Sequence, residues 1–366
     1  MKKSLFTILI FVLFSNFLWS KIIMQPYLQA VTDSSIAILV ESDSPEPIEA
    51  KYSIASSSAT QLTAKSQTYK VTDNSAKTYI HRIYLKNLAS YSNYTYSVSD
   101  NTTKYQGKFI TAPSDVSKDF TFAIMGDCRS QTKIHSKIAE DIAQKEPNFS
   151  IYLGDLCFSP SYSAWKDEFF IPSELNLIAN VPFANAIGNH EDSKPNTFAF
   201  TQSPDIANSE DLGYFDFYYG PIHFIILNTE VNISTNSKQY KFIKNALENS
   251  KGKFKIVAMH IPPYVAGGHG ENEKLITISE KLFVPNNVDI VLAGDSHFYQ
   301  HNLVNGIHHL IIAGGGAPLY TPKSKDYTLN SAKAYCYGIA KYSNNALTLE
   351  VYDINNNLLD TIQIKK

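Results

Sequence analysis

Five apolar stretches of this chain each run out into side chains that can hold a metal ion. They are Gly126-Asp127-Cys128-Arg129, Gly154-Asp155-Leu156, Gly188-Asn189-His190-Glu191, His260-Ile261-Pro262-Pro263-Tyr264 and Gly294-Asp295-Ser296-His297. Carboxylate, amide oxygen and imidazole together suit divalent first-row ions. A glycine precedes the donor in four of the five, which allows the sharp turn that swings the next side chain into a crevice. One Gly-Asp pair carries no information, because such turns occur everywhere. Five in series, each ending a buried strand, predict one site assembled from distant segments.

Periodicity predicts the elements that must position these donors. Phe120–Met125 is nearly continuously apolar, as a strand covered on both faces requires. Ile134, Ile138 and Ile142 recur every fourth residue and predict a helix closed by Pro147, with His135 on its exposed side. A strand over 149–153 completes a βαβ unit. Further strands are predicted over 181–187, 224–227, Phe254–Met259, 289–293 and 307–313, with helical stretches near 165–178 and 239–247. The tail, 337–364, reads as two or three antiparallel strands turning at Asn344-Asn345 and Asn355-Asn356-Asn357. Residues 118–366 therefore form an α/β layered domain whose strand ends carry the site. Ahead of it, strand signals at the spacing of a small all-β sandwich occupy residues 21–113. The proline-containing break Thr111-Ala112-Pro113-Ser114-Asp115 marks the boundary.

Lys2 and Lys3, the apolar run over 5–14 and Ser20 ahead of Lys21 predict a signal peptide over residues 1–20 and a secreted or periplasmic protein. Leu18 fits the cleavage site poorly, so an uncleaved N-terminal anchor is the alternative. No later apolar run is long enough to span a bilayer. A net charge of −2 lacks the basic excess of a nucleic-acid or anionic-membrane binder. Among the basic residues only Arg82 and Arg129 are arginine. Three cysteines, an odd number, do not make a disulfide framework and read as small side chains in partly buried places.

Taken together, the five motifs resemble those of the calcineurin-like metallophosphoesterases, in particular their purple-acid-phosphatase-like branch. The resemblance extends to the segments 215–227 and Ala313-Gly314-Gly315-Gly316-Ala317-Pro318-Leu319-Tyr320. It implies a catalytic domain of two central mixed sheets flanked by helices, a four-layer sandwich, preceded by a fibronectin-III-like domain. It also implies hydrolysis of phosphate mono- or diesters by a hydroxide bridging two metal ions, with Mn, Fe or Zn expected and Mg a further candidate. By position, Asp155 corresponds to the ligand shared by both ions, Asp127 and His297 to ligands of the first, and Asn189 and His260 to ligands of the second. Asp295 stands where the family usually has histidine. His190 and His269, the latter in Gly267-Gly268-His269-Gly270, correspond to the acids or phosphate-binding groups.

Three departures from the family pattern carry consequences. Phe158 stands where purple acid phosphatases place the tyrosine that binds Fe(III), so no tyrosinate-bound ferric ion is expected. Arg129 stands where related enzymes have a ligating histidine. Guanidinium cannot ligate a metal but can clamp a phosphate oxygen; the alternative is an ion pair with Asp155. Asp295 adds a carboxylate, which favours harder ions; the alternative is that it points away and the second ion is weak or absent. Two divalent ions are balanced by Asp127, Asp155, Asp295 and a bridging hydroxide, and a small phosphate ester is the expected partner. The competing reading is a surface or periplasmic binding protein with a degenerate phosphoesterase domain. His81, His308 and His309 read as strand residues, His301 as structural, and His223 as a support for the site.

Overall fold

The computed structural model describes residues 20–55, 62–70, 77–115, 117–201 and 213–366, so the signal segment predicted over 1–20 lies almost wholly outside the described residues. Seven strands come first: β1 (Ile22–Gln29), β2 (Ser35–Ser42), β3 (Glu49–Ile54), β4 (Leu62–Lys70), β5 (Tyr79–Lys86), β6 (Asn93–Ser99) and β7 (Lys104–Ile110). Next are β8 (Phe120–Met125), α1 (Thr132–Gln144), β9 (Phe149–Tyr152), α2 (Tyr162–Ala164), α3 (Pro172–Ile178), β10 (Phe183–Asn185) and α4 (Pro195–Phe200). Then follow β11 (Phe215–Tyr219), β12 (Ile222–Ile226), α5 (Lys238–Glu248), β13 (Phe254–Met259), α6 (Glu273–Ile278) and β14 (Ile290–Ala293). The chain closes with β15 (Tyr299–Val304), β16 (Ile307–Ile312), β17 (Thr328–Ala332), β18 (Cys336–Ser343), β19 (Ala346–Asp353) and β20 (Leu358–Lys365).

Two mixed sheets stack face to face. In one, parallel β8, β9 and β10 continue through the antiparallel meander β18-β19-β20, which turns at the predicted asparagines. In the other, β12, β13, β14 and β16 are parallel, β11 and β15 run antiparallel to them, and β17 pairs antiparallel with β15. Alternation along each strand explains the layering. Phe122 and Ile124 of β8 point between the sheets against Phe224, Ile256 and Leu292, whereas Ala123 and Met125 point outward beneath Ile138 and Ile142 of α1. On the far side, Val257 and Met259 pack under Ile243 and Leu247 of α5 and Leu275 of α6. Helix, sheet, sheet, helix: the expected four layers are present. The N-terminal strands are not a detached bead, because β1 pairs with β10 through Gln29 and Phe183 and extends the first sheet edge to edge.

Several elements differ from their expected form. The helical stretch expected near 165–178 breaks into a π-helical turn over Trp165–Phe169, which continues α2, and α3, because Pro172 starts a new helix and holds Ile171 extended. The strand expected over 181–187 contracts to Phe183–Asn185. His135 is fully buried rather than exposed, bonded through Nε2 to Glu174 Oε2 at 3.0 Å and through Nδ1 to the Glu168 carbonyl at 3.0 Å. All three cysteines are fully buried thiols.

Candidate metal centre

The loops after β8, β9, β10, β13 and β14 converge at the carboxyl edges of both sheets. Asp127, Asp155 and Asp295 each take the left-handed backbone region, with φ of 59°, 55° and 68°, a conformation Asp tolerates better than most residues and that clusters at functional sites. The aspartates thus make much of the turn themselves. Gly188 and Gly294 serve close approach instead: a Cβ at Gly188 would stand 2.3 Å from the Asp155 nitrogen, and one at Gly294 2.6 Å from the Leu153 carbonyl.

Two groups of donors result. Asp127, Asp155 and His297 offer ligand atoms that all lie within 4.8 Å of one another, and His297 Nε2 is 3.4 Å from Asp127 Oδ1. Beside them, His260 Nε2 lies 3.1 Å from Asn189 Oδ1, 3.4 Å from Asp155 Oδ1 and 3.8 Å from Asp295 Oδ1. Asp155 therefore faces both groups, and Asp295 points into the site. Both imidazoles have Nδ1 beside a backbone carbonyl, at 2.8 Å from Leu153 O for His260 and 2.9 Å from Pro318 O for His297. A donated Nδ1–H fixes the tautomer and turns the Nε2 lone pair toward the other donors, although at His297 the guanidinium of Arg129 also lies 3.3 Å from Nε2. Asp127 Oδ1 and Asp295 Oδ2 are buried without a hydrogen-bond partner. Orphaned carboxylate oxygens beside two oriented imidazoles fit cations, so the donor set suits the metal ions the sequence implies.

Electrostatics follow the same crowding. Burial alone pushes the His260 imidazole down, but Asp155, Asp127, Asp295 and Glu191 outweigh it and raise it to about 9. Burial raises Asp127, and its neighbouring histidines only partly offset that. Burial also works against ionised Asp155, yet His260, His190 and Arg129 hold it below the usual carboxylate range.

Around the donors lies a pocket of about 370 Å³ lined by Arg129, His190, Ile261, His269, Glu271, Tyr320 and others. Arg129 Nε donates to Asp155 Oδ2 at 3.0 Å, the ion pair that was one reading of this residue, while its guanidinium also faces the pocket. His190 Nε2 is 3.8 Å from Asp155 Oδ2, and its Nδ1 lies 2.7 Å from the Phe158 carbonyl. His269 sits on the opposite side, its ring 6.3 Å from His297 and 5.3 Å from Tyr320. Phe158 is 57% exposed, with its ring 5.1 Å from that of His190.

Sequence reasoning gave no role to Tyr320, which stacks on His297 at 4.4 Å, or to Glu191, whose buried carboxylate accepts from the Gly188 and Leu156 nitrogens. Desolvation, then Asp155, pushes Glu191 up to about 8. Both are the last residues of segments already singled out in the sequence, which was the available signal. His223 does not support the site. It lies at the start of β12, second after Ile222 and at the opposite strand end, and bonds Asp216 and Ser250. His301 is structural, held between Asp360 and His308.

Residues 120–299 match the calcineurin-like phosphoesterase family. This part of the chain is a calcineurin-like phosphoesterase domain. Among curated relatives, "Probable inactive purple acid phosphatase 9" of Arabidopsis thaliana is 28% identical over 200 residues, 44% of this chain and 31% of the relative. A purple acid phosphatase of Glycine max is 24% identical over 267 residues, 64% of this chain and 57% of the relative. The matched region thus spans less than two thirds of these relatives. The solved structure of purple acid phosphatase PPD1 from yellow lupin (Lupinus luteus) seeds superposes with a TM-score of 0.79 at 20% identity. The match covers 93% of this chain and 74% of that one and establishes the shared two-sheet fold. The N-terminal β-rich region is compatible with a fibronectin-III-like domain.

Proposed function

We propose that this protein is a metal-dependent phosphoesterase that hydrolyses phosphate mono- or diesters at a centre of two divalent ions. The observation that carries the reading is the pair of imidazoles, His260 and His297, each placed to donate Nδ1–H to a backbone carbonyl while Nε2 faces carboxylates shared through Asp155. Asp127, Asp155 and His297 would hold one ion; Asp155, Asn189, His260 and Asp295 would hold the other. When bound, such ions supply Lewis-acid polarisation of the ester and a water acidified enough to attack it. The chain's own residues do the rest. Arg129 reaches both Asp155 and the pocket, so its guanidinium can grip a phosphate oxygen. His190, with Nδ1 tied to Phe158 O, presents Nε2 toward the same place and can give its proton to the departing alkoxide. His269, on the His297 side, can hold a second phosphate oxygen or serve as the acid in its place.

We further propose the division into a sandwich over 21–113 and a catalytic domain over 118–366, with export directed by residues 1–20. Among the described residues no helix is long and apolar enough to cross a membrane. The test is metal analysis combined with hydrolysis of 4-nitrophenyl phosphate and its bis-ester. About two ions per chain and activity abolished by EDTA and by Asp155→Ala are expected. Full activity in the stripped protein would overturn the reading. One ion or none, without hydrolysis, would favour a degenerate binding protein.

A further inference from the structure

The only arginine besides Arg129 lies outside the phosphoesterase domain, and it holds a loop of that domain. Arg82, on β5, is buried, and its Nη2 donates to the carbonyls of Phe198, Ala199 and Thr201 at the end of α4, the last two at 3.4 and 3.2 Å. The remaining carbonyl of that run, Phe200 O, accepts from Tyr27 Oη of β1 at 2.9 Å. Glu41, on β2, is fully buried and accepts from Tyr162 Oη at 2.6 Å and Lys166 Nζ at 2.7 Å. Tyr27 and Arg82 both pair with Leu39, and Glu41 follows two residues later on the same face. One face of the N-terminal sheet thus presents three polar anchors to two loops of its neighbour.

Those two loops bear on the site. The loop before α2 holds Phe158, whose carbonyl lies 2.7 Å from His190 Nδ1, and Pro160, whose carbonyl accepts from Asn196 of α4 at 3.0 Å. Thr197 of α4 donates to Glu191 O at 2.9 Å, immediately after His190. None of the three anchors lines the pocket, so any effect on chemistry must pass through the segments they hold, among whose contacts the one to His190 is the most direct. Buried ionic contacts of this kind add little net attraction, since desolvation offsets it, and in some folds they serve instead to hold one geometry.

We propose that the N-terminal sheet is a working part of the phosphoesterase site, with Glu41 and Arg82 as positioning residues that fix the two loops setting His190. The inference rests on the reading of His190 given above. It predicts that the sandwich serves the reaction.

The test uses the full-length, metal-loaded protein and the variants Glu41→Gln, Glu41→Asp and Lys166→Gln, the last breaking the same contact from the catalytic side should Glu41→Gln not fold. Amide hydrogen exchange, metal content and the kcat and KM for 4-nitrophenyl phosphate are measured together. Glu41→Gln and Lys166→Gln are expected to retain metal and KM, to exchange faster over residues 158–166, and to lose roughly ten- to a hundredfold in kcat, the scale of a small misplacement in an active site. Glu41→Asp should recover part of the loss. Unchanged exchange in both variants overturns the clamp. Faster exchange with undiminished kcat overturns the positioning role. A wild-type protein that binds metal but cleaves no ester overturns the phosphoesterase reading instead, and exchange then still decides the clamp.

Discussion

The guanidinium of Arg129 lies 3.3 Å from Nε2 of His297, and the same side chain donates through Nε to Asp155 Oδ2 at 3.0 Å. It therefore touches two of the three donors expected around the first ion, and cation must share those donors with cation. Removing the guanidinium in Arg129→Ala should tighten binding of the first ion, read by competitive titration with a metallochromic chelator. It should also weaken hydrolysis. One charge-assisted hydrogen bond is worth about 1.5–3 kcal/mol, so kcat/KM for 4-nitrophenyl phosphate should fall about ten- to a hundredfold. Weaker metal binding in the variant would show that Arg129 organises the donors rather than competing for them.

Much of this site was legible because its signal is local. Each donor follows closely on an apolar strand, and the near-continuous burial of β8 and β13 is written in consecutive apolar residues. What escaped depends on partners far away in sequence. The buried residues of α1 are His135, Ile138, Ala139, Asp141 and Ile142, so Ile138 and Ile142 fall inside as expected while the stripe widens to take in His135, about 100° round the helix from half-buried Ile134. Glu174 and the Glu168 carbonyl make His135 a sensible interior residue, and both lie outside its helix. Glu41 and Arg82 meet their loops across more than a hundred residues. No spacing rule reaches that far.

Metal uptake should be coupled to proton release at His260. Its imidazole is raised to about 9 because Asp155, Asp127, Asp295 and Glu191 outweigh burial, whereas ligation needs the deprotonated ring. Below that pH a metal ion must displace a proton. Apparent affinity for Mn²⁺ or Zn²⁺ should therefore climb with pH and level off near 9. Calorimetry in buffers of different ionisation enthalpy should register the released proton at neutral pH. The sign for the metal-free fold is opposite: stabilisation by this charged ring is complete below about 6.5 and is lost as pH rises through about 9.

Glu174 should be among the costliest side chains to delete. It is fully buried on α3 and accepts from Tyr152 Oη of β9 and His135 Nε2 of α1, joining two helices to the sheet. Truncation in Glu174→Ala leaves a phenol and an imidazole in the interior without their partner. Breaking a buried pair from one side costs about 3–5 kcal/mol. Urea unfolding should report a loss of that size, with Glu174→Gln losing clearly less because the amide still bonds both neighbours. Equal losses in the two variants would mean that charge, not hydrogen bonding, holds this corner.

Asp360, on the edge strand β20, joins the two sheets, and its effect should vanish in acid. On β20 it accepts from Tyr299 Oη at 2.7 Å and pairs with His301 Nδ1 at 2.9 Å, both on β15 of the other sheet. Burial alone would raise its carboxyl, but His301, Tyr299 and the Thr361 N–H hold it down at about 2. A depressed carboxylate contributes stability that is present above its unfolded value, about 3.9, and is lost as pH falls through the folded one. Asp360→Asn should therefore melt below the wild type at pH 6, and the difference should close between about pH 4 and pH 2. A difference that stays constant down to pH 2 would assign the contribution to packing and neutral hydrogen bonds, since at that pH the wild-type carboxyl is itself half protonated.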